Sequence, residues 1–342
     1  MANIIAKIRS PYYFTFSKIF LLKKTGFIIL ILPVLLIGNT TVVDPPKAEI
    51  TNEIIHAVLY LPDAENGYYR GSRFDWSGIV SNLDYRGHTF YGQWFPKYNP
   101  RLHEAVMGPV EDFLPVGFDE TNAEKSFLKI GIGILSKADT SRYSIVTPYE
   151  IINPGIWKIK KEASTIKFIQ TLSDTLYSYR YIKTITLIQG KPEMVIDHSL
   201  KNTGKRTIET SVYNHNFFML DQQITGPGFT ITFPFNLTSE GGKPELASIA
   251  GNRIIFNKEL AKNEHVHYTS LTGYSDSVKD YDIRVENEAS GAGARITSDR
   301  PLSKLAFWSA STTVCPEPYI HIKINPGESF SWKIFYNYYS LK

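Results

Sequence analysis

The chain has 342 residues, of which 43% are hydrophobic and 20% charged, a balance that excludes a wholly disordered chain and a polytopic membrane protein. Aromatic residues make up 13%, and 23 Gly and 19 Pro are scattered without a three-residue period, which excludes a collagen-like chain and favours many turns. The formal net charge of +4 comes from residues 1–38, which hold five basic and no acidic side chains. The remainder is nearly neutral and has no basic cluster, so nucleic acid is not an expected partner.

The N-terminal segment has the pattern of an export signal. Its basic stretch precedes an apolar run from Phe27 to Gly38, which is shorter than the ~20 residues that a membrane-spanning helix needs. We therefore expect residues 1–38 to be a cleaved signal peptide and the protein to be periplasmic or secreted. An uncleaved anchor is the alternative, and membrane contact is expected only in that case. Cys315 lies far from this run, so neither lipid attachment nor an internal disulfide is expected.

The rest of the chain predicts a β-rich domain. A linker is expected over residues 39–50, which contain Asp44-Pro45-Pro46, followed by a single domain over residues 51–342. Short segments rich in β-branched and aromatic residues, such as 54–61 and 166–172, recur between turn signals. About 300 residues of short strands favour one large β-sandwich over two domains.

The clearest block predicts a meander of three antiparallel strands, over 179–188, over 193–200, and from Thr207 onward. Alternation in the middle strand places His198 on an apolar face together with its aliphatic neighbours. Helical periodicity is rare. A helix over 103–113 is possible, but Gly108-Pro109 interrupts it.

Signatures of several enzyme classes are missing: the sequence has no glycine-rich phosphate loop, no His-Glu-x-x-His, no Cys-x-x-Cys and no Gly-x-Ser-x-Gly. No metal site and no cofactor are therefore expected. His, Arg and carboxylate residues instead occur among aromatic residues. Aromatic faces stack on the apolar side of a pyranose and polar groups bind its hydroxyls, so this composition suits a carbohydrate ligand.

Two candidate clusters lie in the first third of the chain. In residues 68–78, strand alternation puts Arg73 and Asp75 on the same side, where both could line a cleft; the alternative is a surface strand with Arg70 paired to Asp75. In residues 102–113, His103 and Glu111 flank the Gly-Pro turn. A solvated loop would explain the acidic residues equally well.

Two more clusters follow later in the chain. His215 lies between Asn214 and Asn216 at the end of the meander; a lone strand histidine is usually a core residue, but flanking asparagines are unusual among so many aromatic residues. Glu317 lies between two prolines in an apolar run. A carboxylate in such surroundings has a raised pKa unless it is paired, which suits a proton-transferring group.

The order of these motifs resembles the aldose 1-epimerase (galactose mutarotase) family. That family ends a similar meander in Asn-His-x-Tyr-Phe-Asn-Leu, where this chain has 214–220, and carries Cys-Leu-Glu-Pro near its C-terminus, where this chain has 315–318. Pro-Gly-Glu at 326–328 and Leu102-His103 also match family motifs. The chain departs from the family at Phe217, Met219 and Tyr319, and at Glu104-Ala105, which indicates a divergent branch.

The resemblance implies an all-β, galactose mutarotase-like supersandwich that opens and recloses a sugar ring at C1. It implies that His215 is the general acid and Glu317 the general base, with no metal or cofactor. We expect the two groups to stand about one pyranose ring apart. The candidate substrate-binding residues are Arg73, Asp75, His103, Glu111, Asn214 and Asp221.

Two other functions fit the same fold. A non-catalytic carbohydrate-binding protein would need the aromatic residues and Arg73 but would tolerate loss of either proton-transfer group. An enzyme that processes oligosaccharides or polysaccharides would need a long open groove. The ligand is expected to be a mono- or oligosaccharide in every case.

Overall fold

Alternating buried and exposed side chains run along most of the longer strands in the computed structural model, which describes residues 44–120, 125–137, 142–239 and 242–341. In β12, for example, Met194, Ile196, His198 and Leu200 are buried, as the sequence predicts. The strands are β1 (Lys47–Thr51), β2 (Ile55–Tyr60), β3 (Ile79–Tyr85), β4 (His88–Thr89), β5 (Val110–Phe113), β6 (Ser126–Lys129), β7 (Gly133–Ser136), β8 (Ile151–Asn153), β9 (Ile156–Lys161), β10 (Thr165–Leu172), β11 (Tyr179–Leu187), β12 (Glu193–Asn202), β13 (Ile208–His215), β14 (Phe229–Thr232), β15 (Thr238–Ser239), β16 (Ala247–Ala250), β17 (Arg253–Phe256), β18 (Val266–Thr272), β19 (Asp282–Asn287), β20 (Ala292–Ser298), β21 (Lys304–Ala310), β22 (Thr313–Ile324) and β23 (Ser329–Ser340). Two short 3₁₀ turns, Leu220–Gln222 and Val278–Asp280, complete the described elements.

The strands form two large antiparallel sheets and two small ones. The larger sheet has ten strands in the order β16-β17-β14-β19-β20-β23-β12-β11-β10-β9, and the second has six in the order β15-β18-β21-β22-β13-β5. A four-stranded sheet contains β1 to β4 and a three-stranded sheet contains β6 to β8. The all-β fold predicted from the sequence is confirmed.

Aromatic side chains fill the space between the two large sheets. Phe113 of the six-stranded sheet packs edge to face against Tyr181 and Trp332 of the ten-stranded sheet, with ring centroids 5.6 Å and 6.1 Å apart. All three side chains are almost completely buried, and such packing of large aromatic groups contributes strongly to a core. The described residues belong to one compact unit of the chain.

The predicted three-stranded meander is wrong in its last strand. β11 pairs with β12 as expected, but β13 crosses to the six-stranded sheet, where it pairs with β22 and β5. β23 takes the place beside β12. Consecutive strands are neighbours only about two-thirds of the time, and the partner of β13 lies some hundred residues later, beyond the reach of a local pattern.

Two other boundaries differ from the prediction. Residues 103–113 contain no helix, because Val110–Phe113 forms a buried strand after the Gly108-Pro109 turn. The expected linker over 39–50 ends earlier, since β1 begins at Lys47 and pairs along its length with β2. The expected signal peptide, residues 1–38, lies outside the described residues. Among the described residues, no helix is long and apolar enough to cross a membrane.

Candidate active site

A cavity of about 430 Å³ opens on the outer face of the six-stranded sheet, where alternate residues of its central strands point away from the sandwich core. Loops close its sides with Arg73, Trp94 and His103. The sheet residues that line it are Asp112 of β5, Tyr213 and His215 of β13, His267 and Thr269 of β18, Lys304, Ala306 and Trp308 of β21, and Glu317 and Tyr319 of β22.

The register of two neighbouring strands brings His215 and Glu317 together. β13 pairs with β22 through Tyr213 and Tyr319, and an isolated bridge joins Phe218 to Val314 in the same register. Between these pairs, His215 stands opposite Glu317. Side chains in that relation lie close together, and Nε2 of His215 is 3.2 Å from Oε1 of Glu317. The two groups are therefore in direct contact, closer than the ring width that we expected.

Burial controls the protonation of this pair. Desolvation raises the pKa of Glu317 to about 7, although the positive charge of Arg73 opposes the shift. Desolvation also holds the pKa of His215 well below its usual value, with a further contribution from Arg73. Near neutral pH, the imidazole is uncharged and the carboxyl is about half protonated.

A stack of three rings fixes the imidazole in place. The His215 ring lies 3.8 Å from the Phe217 ring at an interplanar angle of 7°, and Phe217 stacks in turn on Trp94 at 5.0 Å and 12°. Phe217 has a φ of 35°, an unfavourable conformation for a residue with a side chain. Nδ1 of His215 is buried and has no hydrogen-bond partner among the described residues. Because Nδ1 is buried, Nε2, which lies beside Glu317, is the nitrogen available for chemistry.

Arg73 is held by a group of hydrogen bonds at the cavity wall. Its Nε donates to Oδ2 of Asp112 over 3.1 Å and its Nη2 donates to the Tyr213 hydroxyl over 3.0 Å. The Tyr213 hydroxyl donates to the same carboxylate oxygen over 2.9 Å, and Lys129 donates to the other over 2.6 Å. Two of the donor groups of the guanidinium are thus used within the protein. Nη1 has no hydrogen-bond partner among the described residues and can serve a ligand.

His103, one of the candidate substrate-binding residues, also lines the cavity. Nε2 of His103 lies 3.7 Å from a carboxylate oxygen of Glu104. Partial burial lowers the pKa of His103, which favours the neutral ring near pH 7. A neutral imidazole both donates and accepts, so it can pair with a sugar hydroxyl in either sense.

Three of the predicted substrate-binding residues do not line the cavity: Glu111 and Asn214 point to the opposite face of the same sheet, and Asp75 lies in a loop. Glu111 is completely buried between the two large sheets, where it bonds to Lys183, to Nε2 of His198 over 2.9 Å and to the Asn214 amide over 3.0 Å. Asp75 is also completely buried and accepts from Ser77 and Tyr181. Since none of Asp75, Glu111 and Asn214 lines the cavity, direct ligand contact by them was a wrong expectation.

Asp221 and Arg70 also make contacts other than those that we considered. Asp221 binds His88 at 2.8 Å and the Thr89 backbone amide, and it does not line the cavity. The alternative pairing of Arg70 with Asp75 does not occur either, because Arg70 donates to the Glu65 carbonyl. The buried hydrogen-bond network gives Glu111 and Asp75 a structural role, because their partners compensate the charges of these carboxylates inside the sandwich.

Sequence reasoning missed several residues of the cavity. The sequence did not distinguish Asp112 from its neighbour Glu111, and the alternation of β5 sends the two carboxylates to opposite faces. Tyr213 and Tyr319 stack with ring centroids 4.4 Å apart, and Trp308 lies edge-on to His215. Period-two spacing from His215 and from Glu317 selects both tyrosines, once these two residues are taken as the centre.

No cluster of three or more His, Cys, Asp and Glu side chains able to hold a metal ion occurs in the described part of the chain. No known family model matches the sequence, and no curated protein matches it significantly. Solved structures do match. They include a candidate aldose 1-epimerase from Escherichia coli K12, with 12% identity, a TM-score of 0.52, and coverage of 86% of this chain and 99% of that one.

Two galactose mutarotase-like proteins match in the same way. The protein from Lactobacillus casei has 12% identity and a TM-score of 0.52, with 86% of this chain and 100% of that one covered. The protein from Clostridium acetobutylicum has 12% identity and a TM-score of 0.50, with 87% and 99% covered. This chain therefore has the galactose mutarotase-like β-sandwich fold that the sequence predicts.

Proposed function

We propose that the protein is an aldose 1-epimerase-like enzyme that opens and recloses a sugar ring at C1, with His215 and Glu317 as its proton-transfer groups. The observation that carries the proposal is the 3.2 Å contact between Nε2 of His215 and Oε1 of Glu317 in an aromatic-lined cavity. The reaction moves protons at the ring oxygen and at the anomeric hydroxyl. Both oxygens are bonded to C1, so an acid and a base that converge on neighbouring atoms suit it.

The proton inventory of the pair fits this chemistry. Near pH 7 the imidazole is neutral and Glu317 carries a proton in about half of the molecules, and the reaction starts from this protonated form. A sugar whose anomeric hydroxyl donates to Glu317 favours the ionised carboxylate, because hydrogen bonding to the charged form stabilises it. The proton then passes across the contact to Nε2.

Ring opening follows from that state. His215 donates its proton to the ring oxygen while Glu317 accepts the proton of the anomeric hydroxyl, which breaks the bond from C1 to the ring oxygen and leaves an aldehyde. Rotation about the bond between C1 and C2 presents the other face. Reclosure reverses both transfers, so the protein ends each turnover with the protons it had at the start.

The other cavity residues position the sugar in this proposal. Nη1 of Arg73 and the imidazole of His103 bind hydroxyls, while Trp94 and Trp308 contribute apolar surface to the cavity. A volume of about 430 Å³ lies within the range of small-ligand pockets, roughly 300–1,000 Å³. The cavity therefore suits a monosaccharide or a short oligosaccharide.

The test is exchange between α and β anomers, measured by NMR magnetisation transfer on a panel of aldoses with and without protein. We expect the wild type to accelerate exchange, and His215→Asn and Glu317→Gln each to lose at least ~100-fold, since a general acid or base contributes ~10² to 10⁴-fold. The same two strands provide a matched control pair, Glu209 and His321, which are exposed and lie 3.5 Å apart.

His321→Asn and Glu209→Gln should leave exchange unchanged. Wild-type protein that binds sugars but accelerates no exchange would refute the enzyme and establish the carbohydrate-binding alternative. Full activity in both His215→Asn and Glu317→Gln would show that the reaction occurs elsewhere.

A further inference from the structure

At the rim of the cavity, Lys304 has no ion-pair partner within the described part of the chain. Lys304 lines the cavity on β21, opposite Tyr319 of β22, and its Nζ lies 5.1 Å from the centre of the Tyr319 ring. The side chain is exposed, and it forms no ion pair with a carboxylate in the described ranges. A lysine in that position presents an uncompensated positive charge to whatever occupies the cavity.

The carboxylates of the cavity contact groups other than Lys304. Asp112 accepts from Arg73 and Lys129, Glu317 contacts His215, and the exposed Glu104 lies beside His103. None of these carboxylates forms an ion pair with Lys304, although the charge of Lys304 acts on Glu317 from a distance and lowers its pKa.

Two exposed hydrogen-bonding side chains of the neighbouring strand also line the cavity. His267 and Thr269 alternate along β18, next to β21 in the sheet, and both line the same side of the cavity. Neither side chain has a hydrogen-bond partner among the residues that the structure describes. Burial, assisted by Lys304 and Arg73, lowers the pKa of His267. An imidazole, a hydroxyl and an ammonium group on two neighbouring strands therefore line the same cavity.

We propose that this rim, formed by Lys304, His267 and Thr269, binds an anionic substituent of the sugar, so that the substrate class is an acidic sugar rather than a neutral aldose. The proposal rests on the proposed function only for the position of C1. A carboxylate and an ester sulfate or phosphate share the chemistry that the rim recognises, because each offers several anionic oxygens to donors.

The spacing fits one sugar unit. Lys304 stands opposite Tyr319, which is two residues from Glu317 along β22, or ~7 Å at the rise of an extended strand. That distance is comparable with the length of one hexose. A sugar with C1 at Glu317 can thus place a substituent from the far side of its ring at the rim. The substituent faces solvent there, so its charge need not be fully desolvated.

The experiment measures two ratios for each protein variant: the affinity for an acidic sugar over its neutral parent, by titration calorimetry, and the corresponding kcat/KM ratio for anomer exchange. The acidic arms are galacturonate and glucuronate, galactose 6-sulfate, and glucose 6-phosphate, with galactose and glucose as parents. We expect at least one arm to be favoured by tenfold or more in the wild type at low salt. The favoured arm identifies the anion as carboxylate, sulfate or phosphate.

Variants of Lys304 test whether this residue causes the preference for an acidic sugar. Lys304→Gln should bring the favoured ratio to within threefold of unity, and Lys304→Arg should retain most of it because the charge remains. The control is Lys323→Gln, an exposed lysine of β22 that pairs with Glu209 away from the cavity, and it should keep the wild-type ratio. A preference that survives Lys304→Gln would overturn the assignment of the rim.

The experiment distinguishes failure of this inference from failure of the proposed function. If the protein exchanges neutral anomers and favours no acidic arm, this inference is wrong and the proposed function stands. If it accelerates no exchange but binds an acidic sugar in a manner that requires Lys304, the enzyme proposal is wrong and the rim assignment stands.

Discussion

Arg73 links the cavity to the interior of the protein, and replacing it with lysine should reduce both ligand binding and stability. The guanidinium donates to Asp112 and to Tyr213 at the same time, and it lies 4.3 Å from the centre of the Phe74 ring. A lysine ammonium keeps the charge but lacks the planar fork, so it can replace at most one of these two hydrogen bonds. It also removes Nη1, the donor left for the sugar.

The expected magnitudes follow from those contacts. Loss of one hydrogen bond to a charged group costs about 1.5–3 kcal/mol, and Lys129 and Tyr213 still pair with Asp112, so the lower half of that range applies. At roughly 2 °C of Tm for each kcal/mol in a chain of this size, the melting temperature should fall by about 3–5 °C. Ligand affinity should fall by at least tenfold, about 1.4 kcal/mol.

Differential scanning calorimetry gives the first quantity and titration with a sugar that the wild type binds gives the second. The matched control is Arg295→Lys, because Arg295 makes a two-bond contact with Asp282 on an exposed surface away from the cavity. That variant should change Tm by only a degree or two and leave affinity unchanged. If Arg73→Lys lowers Tm but binds sugar as tightly as the wild type, Arg73 has only a structural role and the reasoning is refuted.

Three more predictions follow from burial and charge. Because the pKa of Glu317 is about 7 in the folded protein against an ordinary value of 4.5, the folded state holds an extra proton between those pH values and stability falls as pH rises through them. Glu317→Gln should remove that fall, so the stability of the variant relative to the wild type should increase from pH 5 to pH 8 by roughly 3 kcal/mol in urea unfolding; no increase would show that Glu317 is ionised throughout. Lys183→Met should cost about 3–5 kcal/mol because it leaves buried Glu111 and Asp75 uncompensated, whereas Lys333→Met, at an exposed pair, should cost less than ~1 kcal/mol; equal losses would contradict the role of the buried network. N-terminal sequencing of protein from its native compartment should find residues 1–38 absent, and an intact Met1 on membrane-bound protein would favour the anchor instead.

Local pattern predicted those parts of the fold that depend on neighbours in the sequence. β11 and β12 follow from period-two alternation and the turn at Gly190, which has a φ of 72° that glycine adopts readily. The destination of β13 depends on β22, about a hundred residues away, and no local signal distinguishes a hairpin from a crossover there.

The candidate site, too, was predictable from the sequence only where local pattern determines it. His215 and Glu317 were found because their residue types are unusual in their settings. Alternation separates Asp112 from Glu111 but does not say which face of β5 meets the cavity, since all four residues of that strand are buried. The choice is made by the ten-stranded sheet, which supplies Lys183 and His198 to one face only.

The central claim is that His215 and Glu317 act as one proton-transfer pair, and a double-mutant cycle on anomer exchange tests it most directly. Each single variant, His215→Asn and Glu317→Gln, removes one end of a transfer that needs both, so the losses should not add. We predict that the double variant is within threefold of the slower single variant, with folding of all four proteins checked by circular dichroism. Losses that multiply, so that two ~100-fold effects give ~10⁴-fold, would show that the two groups act independently and would contradict the account.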